Sequence, residues 1–365
     1  MDRYSKAGRW DPLFGRLPAW AGLALAALAA GTLWAETPRP GSAAEPGSEP
    51  ALSLKLLRGN ASGNSFDFRM ERIEGTIRLD GAYHGVTRLV DRRTGKQFID
   101  SRYSAMNLFK LMSVNLAMGM PRVMERKIEA SSNWVQACWA PTESHRGEII
   151  ARYALRPPDA IDLTVTLRSQ GTYAGYELFL SNYFDKEMRP FVYLQPPRGK
   201  ALPEGAERVL PMVSDVFRGT VLVFPRDAHA ARRCVDGRWD RLEADTPTVQ
   251  MCPVRRYAHC LAVMADAQES CGVALMALPR DCYAISTRYH AESEQDRMTT
   301  YSAFDLSLFG EDVVAGDQRT VKVRLQVVTL DGSFQEPVRC YGAFLAETDQ
   351  GVGPLAADAA KGGSL

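Results

Sequence analysis

The chain has 365 residues, 45% of them hydrophobic and 24% charged, a composition that supports a buried core and excludes a wholly disordered chain. Its 44 basic side chains balance 43 acidic ones. No charge excess remains to collect phosphate backbones, so nucleic acid is excluded as an expected partner.

At the N-terminus, Arg3, Lys6, Arg9 and Arg16 precede an uncharged run from Leu17 to Ala35, LPAWAGLALAALAAGTLWA. Positive residues ahead of a short apolar stretch make residues 1–35 a signal peptide or an N-terminal membrane anchor. Leu33 and Ala35 offer a cleavage site before Glu36, and the run of 19 residues approaches the length that spans a bilayer. The alternative is a buried core helix. Against it, ETPRPGSAAEP follows at once, and residues 36–51 read as a disordered Pro/Gly/Ser linker that buries too little apolar surface to fold. The expected localisation is periplasmic or secreted, with membrane contact only through the N-terminal segment.

Residues 52–347 carry one texture throughout, short runs of β-branched and aromatic residues broken by turn chemistry. FDFRMERIEGTIRLDG ends in Asp-Gly, GVTRLVDRRTG ends in Thr-Gly, and IDLTVTLRSQG alternates Ile161, Leu163, Val165 and Leu167 with polar partners. Period-two alternation bounded by Gly and Asp predicts half-buried strands. GYELFLSNYF, GTVLVFP, HCLAVMA, CGVALMAL and TVKVRLQVVTL repeat it. The segment 103–120, YSAMNLFKLMSVNLAMGM, reads as a helix or as a long loop over a sheet edge. Strands without interleaved helices predict an all-β antiparallel sandwich. Residues 348–365 read as a flexible tail.

Seven cysteines, at 138, 234, 252, 260, 271, 282 and 340, include no CxxC pair, so a zinc ribbon or thioredoxin-type site has no support. In an oxidising compartment Cys252, Cys260, Cys271 and Cys282 could staple neighbouring strands. Alternatively, these thiols are buried small hydrophobes.

The stretch IEGTIRLDGAYHGVTRLVDRRTG, with its L-x-D-x-x-T-G ending, resembles the first strands of galactose-mutarotase-like β-supersandwich proteins. SLFGEDVVAGDQRTVKVRLQVV is similar to their closing strands, with an aromatic-Gly turn, an Ala-Gly-Asp turn and an alternating strand. The resemblance implies a large two-sheet antiparallel supersandwich whose concave face holds a sugar. Many members of that superfamily are aldose epimerases, glycoside hydrolases or lyase-associated domains, and others have lost catalysis. The epimerase pattern carries an Asn-His pair shortly before Tyr-Phe-Asn. Here LSNYFDK keeps Asn182, Tyr183 and Phe184 and lacks the histidine.

Histidine is scarce. His84 lies in DGAYHGV beside Gly85, where a tight turn lets a side chain approach a ligand. His145 lies in a polar loop with Glu143 and Glu148, and His290 precedes Glu292, Glu294 and Asp296. An imidazole shuttles protons near neutrality, so these three are candidate acid-base groups; the alternative for each is a structural hydrogen bond. Glu177 is the one charge in the apolar strand GYELFLSNYF. Burying it unpaired is costly, so either Arg88, Arg102 or Arg122 neutralises it or it points into a pocket as an acid-base group.

Sugar rings stack on aromatic faces, which nominates Trp134, Trp139, Tyr183, Tyr193 and Trp239. The expected catalytic set is His84, His145, Glu177 and His290, and the expected substrate-binding set is Arg88, Trp139, Tyr183 and Tyr193. No spacing enforces a metal site on His145, Glu143 and Glu177. The run Glu292, Glu294, Asp296 reads as a solvated loop or, less favoured, as calcium ligands on one strand face. No other cofactor is expected. Serine-hydrolase elbows, phosphate-binding loops and dinucleotide fingerprints are absent. Two functions fit: acid-base chemistry on a sugar, as in an epimerase, hydrolase or lyase, or a non-catalytic glycan- or protein-binding module of the cell envelope.

Overall fold

The computed structural model describes residues 57–59, 64–114, 116–196, 206–211, 221–234, 250–251, 255–288 and 301–350. The chain divides into two units, Met1–Ala51 and Leu52–Leu365. The first lies outside the described residues, as do the signal or anchor segment and the linker expected there.

In the second unit, strands β1 (Leu57–Gly59), β2 (Ser65–Arg69), β3 (Ile73–Arg78) and β4 (Gly85–Asp91) form a four-stranded sheet in sequence order. The rest of the chain passes back and forth between two larger sheets. β5 (Asn107–Ser113) and β6 (Leu116–Gly119) enter the eight-stranded sheet, and β7 (Lys127–Ala130), β8 (Trp134–Trp139), β9 (Gly147–Arg156) and β10 (Ala160–Ser169) enter the nine-stranded one. β11 (Tyr173–Ser181) and β12 (Tyr183–Asp185) return to the eight-stranded sheet, and β13 (Arg189–Leu194) and β14 (Glu207–Val209) to the nine-stranded sheet. β15 (Val221–Pro225), the helix α1 (Ala228–Cys234) and β16 (Gln250–Met251) precede β17 (Tyr257–Ala265) and β18 (Cys271–Ala277). β19 (Cys282–Arg288), β20 (Tyr301–Val313), β21 (Gln318–Thr329) and the helix α2 (Gln335–Gln350) complete the order.

The nine-stranded sheet runs β14-β13-β17-β18-β21-β10-β9-β8-β7, and the eight-stranded sheet runs β16-β15-β19-β20-β11-β5-β6 with β12 on β20. The strand pairs are antiparallel except β15 with β16. The expected all-β antiparallel sandwich is therefore present. Its alternation is the one written in the sequence: Ile161, Leu163, Val165 and Leu167 are fully buried, and they share one hydrophobic cluster with Leu178, Leu180, Leu306 and Leu308 of the other large sheet.

Asp162 sits on β10 directly opposite Arg324 of β21. Its carboxylate accepts two bonds from Arg324, at 2.6 and 3.1 Å, and faces Arg156 at 2.9 Å and Lys322 at 3.1 Å. Burial raises the pKa of this group, but the cations outweigh it and hold the carboxyl below its ordinary value.

Three expectations change. Segment 103–120 is neither helix nor loop over most of its length: it forms β5 and β6, β5 pairs with β11 and β6, and every residue of β5 is buried. Cys260, Cys271 and Cys282 carry free thiols; they fill buried positions as small hydrophobes, and Cys252 lies outside the described residues. The last described element is the helix α2, which runs to Gln350, past position 347. Its buried Tyr341 and Phe344 dock it on the sandwich, while Arg324 donates to Glu347 at 2.8 Å. The Ser333-x-x-Glu336 spacing, with Ser333 Oγ accepting the Gln335 N–H, was the available helix-start signal.

Candidate functional site

Along β11 and β12 the side chains alternate between two faces. Tyr176, Leu178, Leu180 and Phe184 enter the main core, so Glu177, Phe179, Ser181 and Tyr183 point to the opposite face of the eight-stranded sheet. Neighbouring strands supply the same face. Phe179 is opposite Lys110 on β5 and Ser307 on β20, Ser181 is opposite Asn107, Asp305 is opposite Ser286, and Tyr183 is opposite Ala303. A bulge at Phe109 sets two residues of β5 against Phe179, and the Phe109 and Phe179 rings meet edge to face at 6.1 Å.

Polar side chains here are deeply buried: Glu177 is 1% exposed, Lys110 4%, Ser286 1% and Asp305 7%. Asp305 Oδ1 accepts the Asn182 N–H at 3.0 Å. Ser286 Oγ, Ser104 Oγ and Asn107 Oδ1 are buried without a protein partner. Such atoms are costly in a dry core and are expected where a polar ligand or water completes the bonding.

At one end of the strip four partly exposed tyrosines converge. Tyr83, Tyr103, Tyr183 and Tyr301 make five ring contacts with centroids 4.8 to 5.7 Å apart. Burial pushes the Tyr183 hydroxyl above the ordinary tyrosine pKa, and the Asp305 carboxylate acts in the same direction, so the group stays a neutral donor. Gly85 brings the Tyr83 loop close: its φ is +104°, and a Cβ there would sit 2.4 Å from the Ala105 carbonyl oxygen.

Of the residues expected from sequence, Glu177 and Tyr183 share this face. His84 is fully buried; its Nε2 accepts the Leu108 N–H at 3.2 Å, and its ring lies 5.5 Å from Trp139. Burial, then Arg126 and Arg78, push its pKa well below the ordinary value. His145 is also in the core, 3.0 Å from the Tyr176 hydroxyl, its pKa lowered to about 4 by burial. Trp139 donates to the Pro121 carbonyl and Tyr193 to the Phe334 carbonyl, both buried. Arg88 binds Glu74 on the four-stranded sheet at 2.7 Å and Arg102 binds Asp100, so neither neutralises Glu177 through those contacts. His290, Trp239, Glu292, Glu294 and Asp296 lie outside the described residues. No group of three or more His, Cys, Asp or Glu side chains could hold a metal ion among the described residues.

Sequence reasoning missed Lys110, Phe179, Asp305, Ser286, Tyr83, Tyr103 and Tyr301. The signal for one pair was present: in AFDLSLF, Asp305 and Ser307 alternate with Phe304, Leu306 and Leu308, a polar row opposite a core row.

A separate cleft of about 250 Å³ is lined by Arg280, Asp281, Phe309, Glu311, Val313, Arg319, Thr320 and Val321. Burial raises the Asp281 pKa to about 6, against the pull of Arg280 at 3.8 Å. A carboxyl whose folded pKa exceeds its unfolded value stabilises the fold least when ionised, so stability is lost as pH rises from about 4 to about 6. Asp281→Asn is expected to remove that loss and to gain about 1–2 kcal/mol at pH 7 after solvent screening. Denaturant unfolding at pH 4.5 and 7 measures it; an unchanged pH slope in the variant contradicts this assignment.

No family model matches the sequence. No curated protein matches it either. Solved structures similar to it include a galactose 1-epimerase from Lactobacillus acidophilus, 8% identical, covering 76% of this chain and 99% of that one with a TM-score of 0.40. A GalM/aldose epimerase homologue from C. elegans is 8% identical, with 72% and 97% covered and a TM-score of 0.39. The heparan sulfate lyase HepC from Pedobacter heparinus is 9% identical, with 78% of this chain and 37% of that one covered and a TM-score of 0.41. This is a likeness to solved structures at low identity. It assigns neither a ligand nor a reaction.

Proposed function

We propose that the protein binds a saccharide on the non-core face of the eight-stranded sheet and performs acid-base chemistry there through Glu177. The observation that carries this reading is one strip that joins a cluster of tyrosine rings to buried polar side chains on the same sheet face. A pyranose presents C–H patches to aromatic rings and hydroxyls to polar groups, and this strip offers both.

The arrangement favours proton transfer over two-carboxylate hydrolysis. Glu177 is opposite Met112, two residues from Lys110, which makes Lys110 its diagonal neighbour at about 7–8 Å. Asp305 is four residues farther along the sheet, roughly 13 Å of strand, beyond the separation at which paired carboxylates cleave glycosides. In this reading Glu177 moves the proton, and the Lys110 ammonium stabilises negative charge that develops on a sugar oxygen. Export through residues 1–35 belongs to the same proposal, since it places the protein among envelope glycans; cell fractionation with an N-terminally truncated control tests it.

Tyr103→Ala, at the cluster centre, is expected to weaken saccharide binding about tenfold with little change in melting, because the ring is partly exposed. Calorimetry against a panel of mono- and oligosaccharides measures the effect. Absence of any binder at millimolar concentration removes the saccharide reading, while binding without product formation leaves the binding-module function.

A further inference from the structure

The loop between β3 and β4 and the turn after β6 bring cations together beside the tyrosine cluster. Arg126 Nη2 donates to the carbonyls of Gly81 and Arg122, both at 3.0 Å, and Arg78 Nη2 donates to the Tyr83 carbonyl at 3.0 Å. These bonds use only part of each guanidinium. Arg126 Nη1, Arg78 Nε and Arg122 Nε are buried without a hydrogen-bond partner, and so is His84 Nδ1. Because His84 Nε2 accepts the Leu108 N–H, the neutral ring carries its proton on Nδ1. The region therefore presents four buried N–H donors. Asp80 lies 3.8 Å from Arg78 Nε, and its side chain is 39% exposed.

The position of these donors connects them to the strip described above. Tyr83, whose carbonyl Arg78 holds, places its ring 5.3 Å from Tyr103 and 5.7 Å from Tyr183. Arg122 lies 4.1 Å over Phe109, the ring that packs on Phe179 beside Glu177, and Lys110 approaches the same Phe109 ring at 4.9 Å. Arg126 bridges the two regions through its bonds to Gly81 and Arg122. A cationic border with spare donors thus runs along the aromatic and polar strip. Guanidinium forks pair with planar or tetrahedral oxyanions, and burial strengthens that pairing.

We infer that Arg122 and Arg126, supported by Arg78 and His84, form an oxyanion-recognition subsite, so that the saccharide taken by this protein carries a carboxylate or sulfate group. The inference rests on the saccharide reading for its ligand, but the anion subsite is testable by itself. An inorganic oxyanion offers the same chemistry, and the two sources separate experimentally.

The test is titration calorimetry of the full chain at fixed ionic strength with sodium glucuronate, glucose and sodium sulfate. The expected result is that glucuronate binds at least tenfold more tightly than glucose. Arg122→Gln and Arg126→Gln should each weaken glucuronate about tenfold and leave glucose unchanged. Arg126 also pins the Gly81 loop, so Arg122→Gln, whose guanidinium stacks on Phe109, is the deciding variant if Arg126→Gln melts early. Equal affinity for glucuronate and glucose overturns the subsite while leaving the saccharide reading in place. Arginine-dependent sulfate binding without any sugar binding supports the subsite with an inorganic ligand and overturns the saccharide reading. Binding of none of the three overturns both.

Discussion

Glu177→Gln is expected to reduce turnover on the bound saccharide by at least a hundredfold while the melting midpoint stays within a few degrees of the parent. Glutamine preserves volume and most hydrogen bonds but cannot exchange a proton, and acid-base groups commonly contribute factors of about 10² to 10⁴. The carboxylate is 1% exposed on the face that also carries Phe179, Lys110 and Ser307. Product assay and thermal melting together decide the case. If Glu177 instead closes a buried ion pair that holds the fold, the same substitution costs about 3–5 kcal/mol. The midpoint then falls by roughly 5 to 15 °C, and Glu177 leaves the site.

The largest effect on stability is expected at Asp162. Asp162→Asn removes the charge that neutralises Arg324, Lys322 and Arg156, and Arg324 is only 6% exposed. Breaking such a buried network by removing one partner costs about 3–5 kcal/mol, partly relieved by the remaining Arg324–Glu347 contact. The folded pKa of Asp162 lies below its unfolded value, so its contribution is complete above the ordinary carboxylate pKa and fades as pH falls through the folded one. Denaturant unfolding should therefore show the variant losing less stability than the parent between pH 5 and 2. A variant as stable as the parent at pH 7 contradicts the role given to this cluster.

The strand texture was legible because burial writes a period of two into sequence. Ile161, Leu163, Val165 and Leu167 name one face of β10 without any structure. Segment 103–120 was not legible, because every residue of β5 is buried and the strand lacks the alternation that marks a half-buried strand. Sequence singled out Glu177 for a physical reason, the cost of a lone charge in an apolar strand, and the structure places it on the polar face with Tyr183. Scarcity singled out His84 and His145, and both occupy core positions with hydrogen bonds to Leu108 and Tyr176. Rarity carries no information about direction.

By itself, then, the sequence determined the class of fold and the candidate glutamate, since alternation and desolvation are local properties of a strand. The tertiary structure alone decided which residues join Glu177. Lys110, Phe179, Ser307 and Asp305 come from β5, β11 and β20, far apart in the chain, and only strand register sets them on one face. The tyrosine cluster and the arginines beside it have the same origin, because ring packing and spare donors depend on where loops close, which no local pattern encodes.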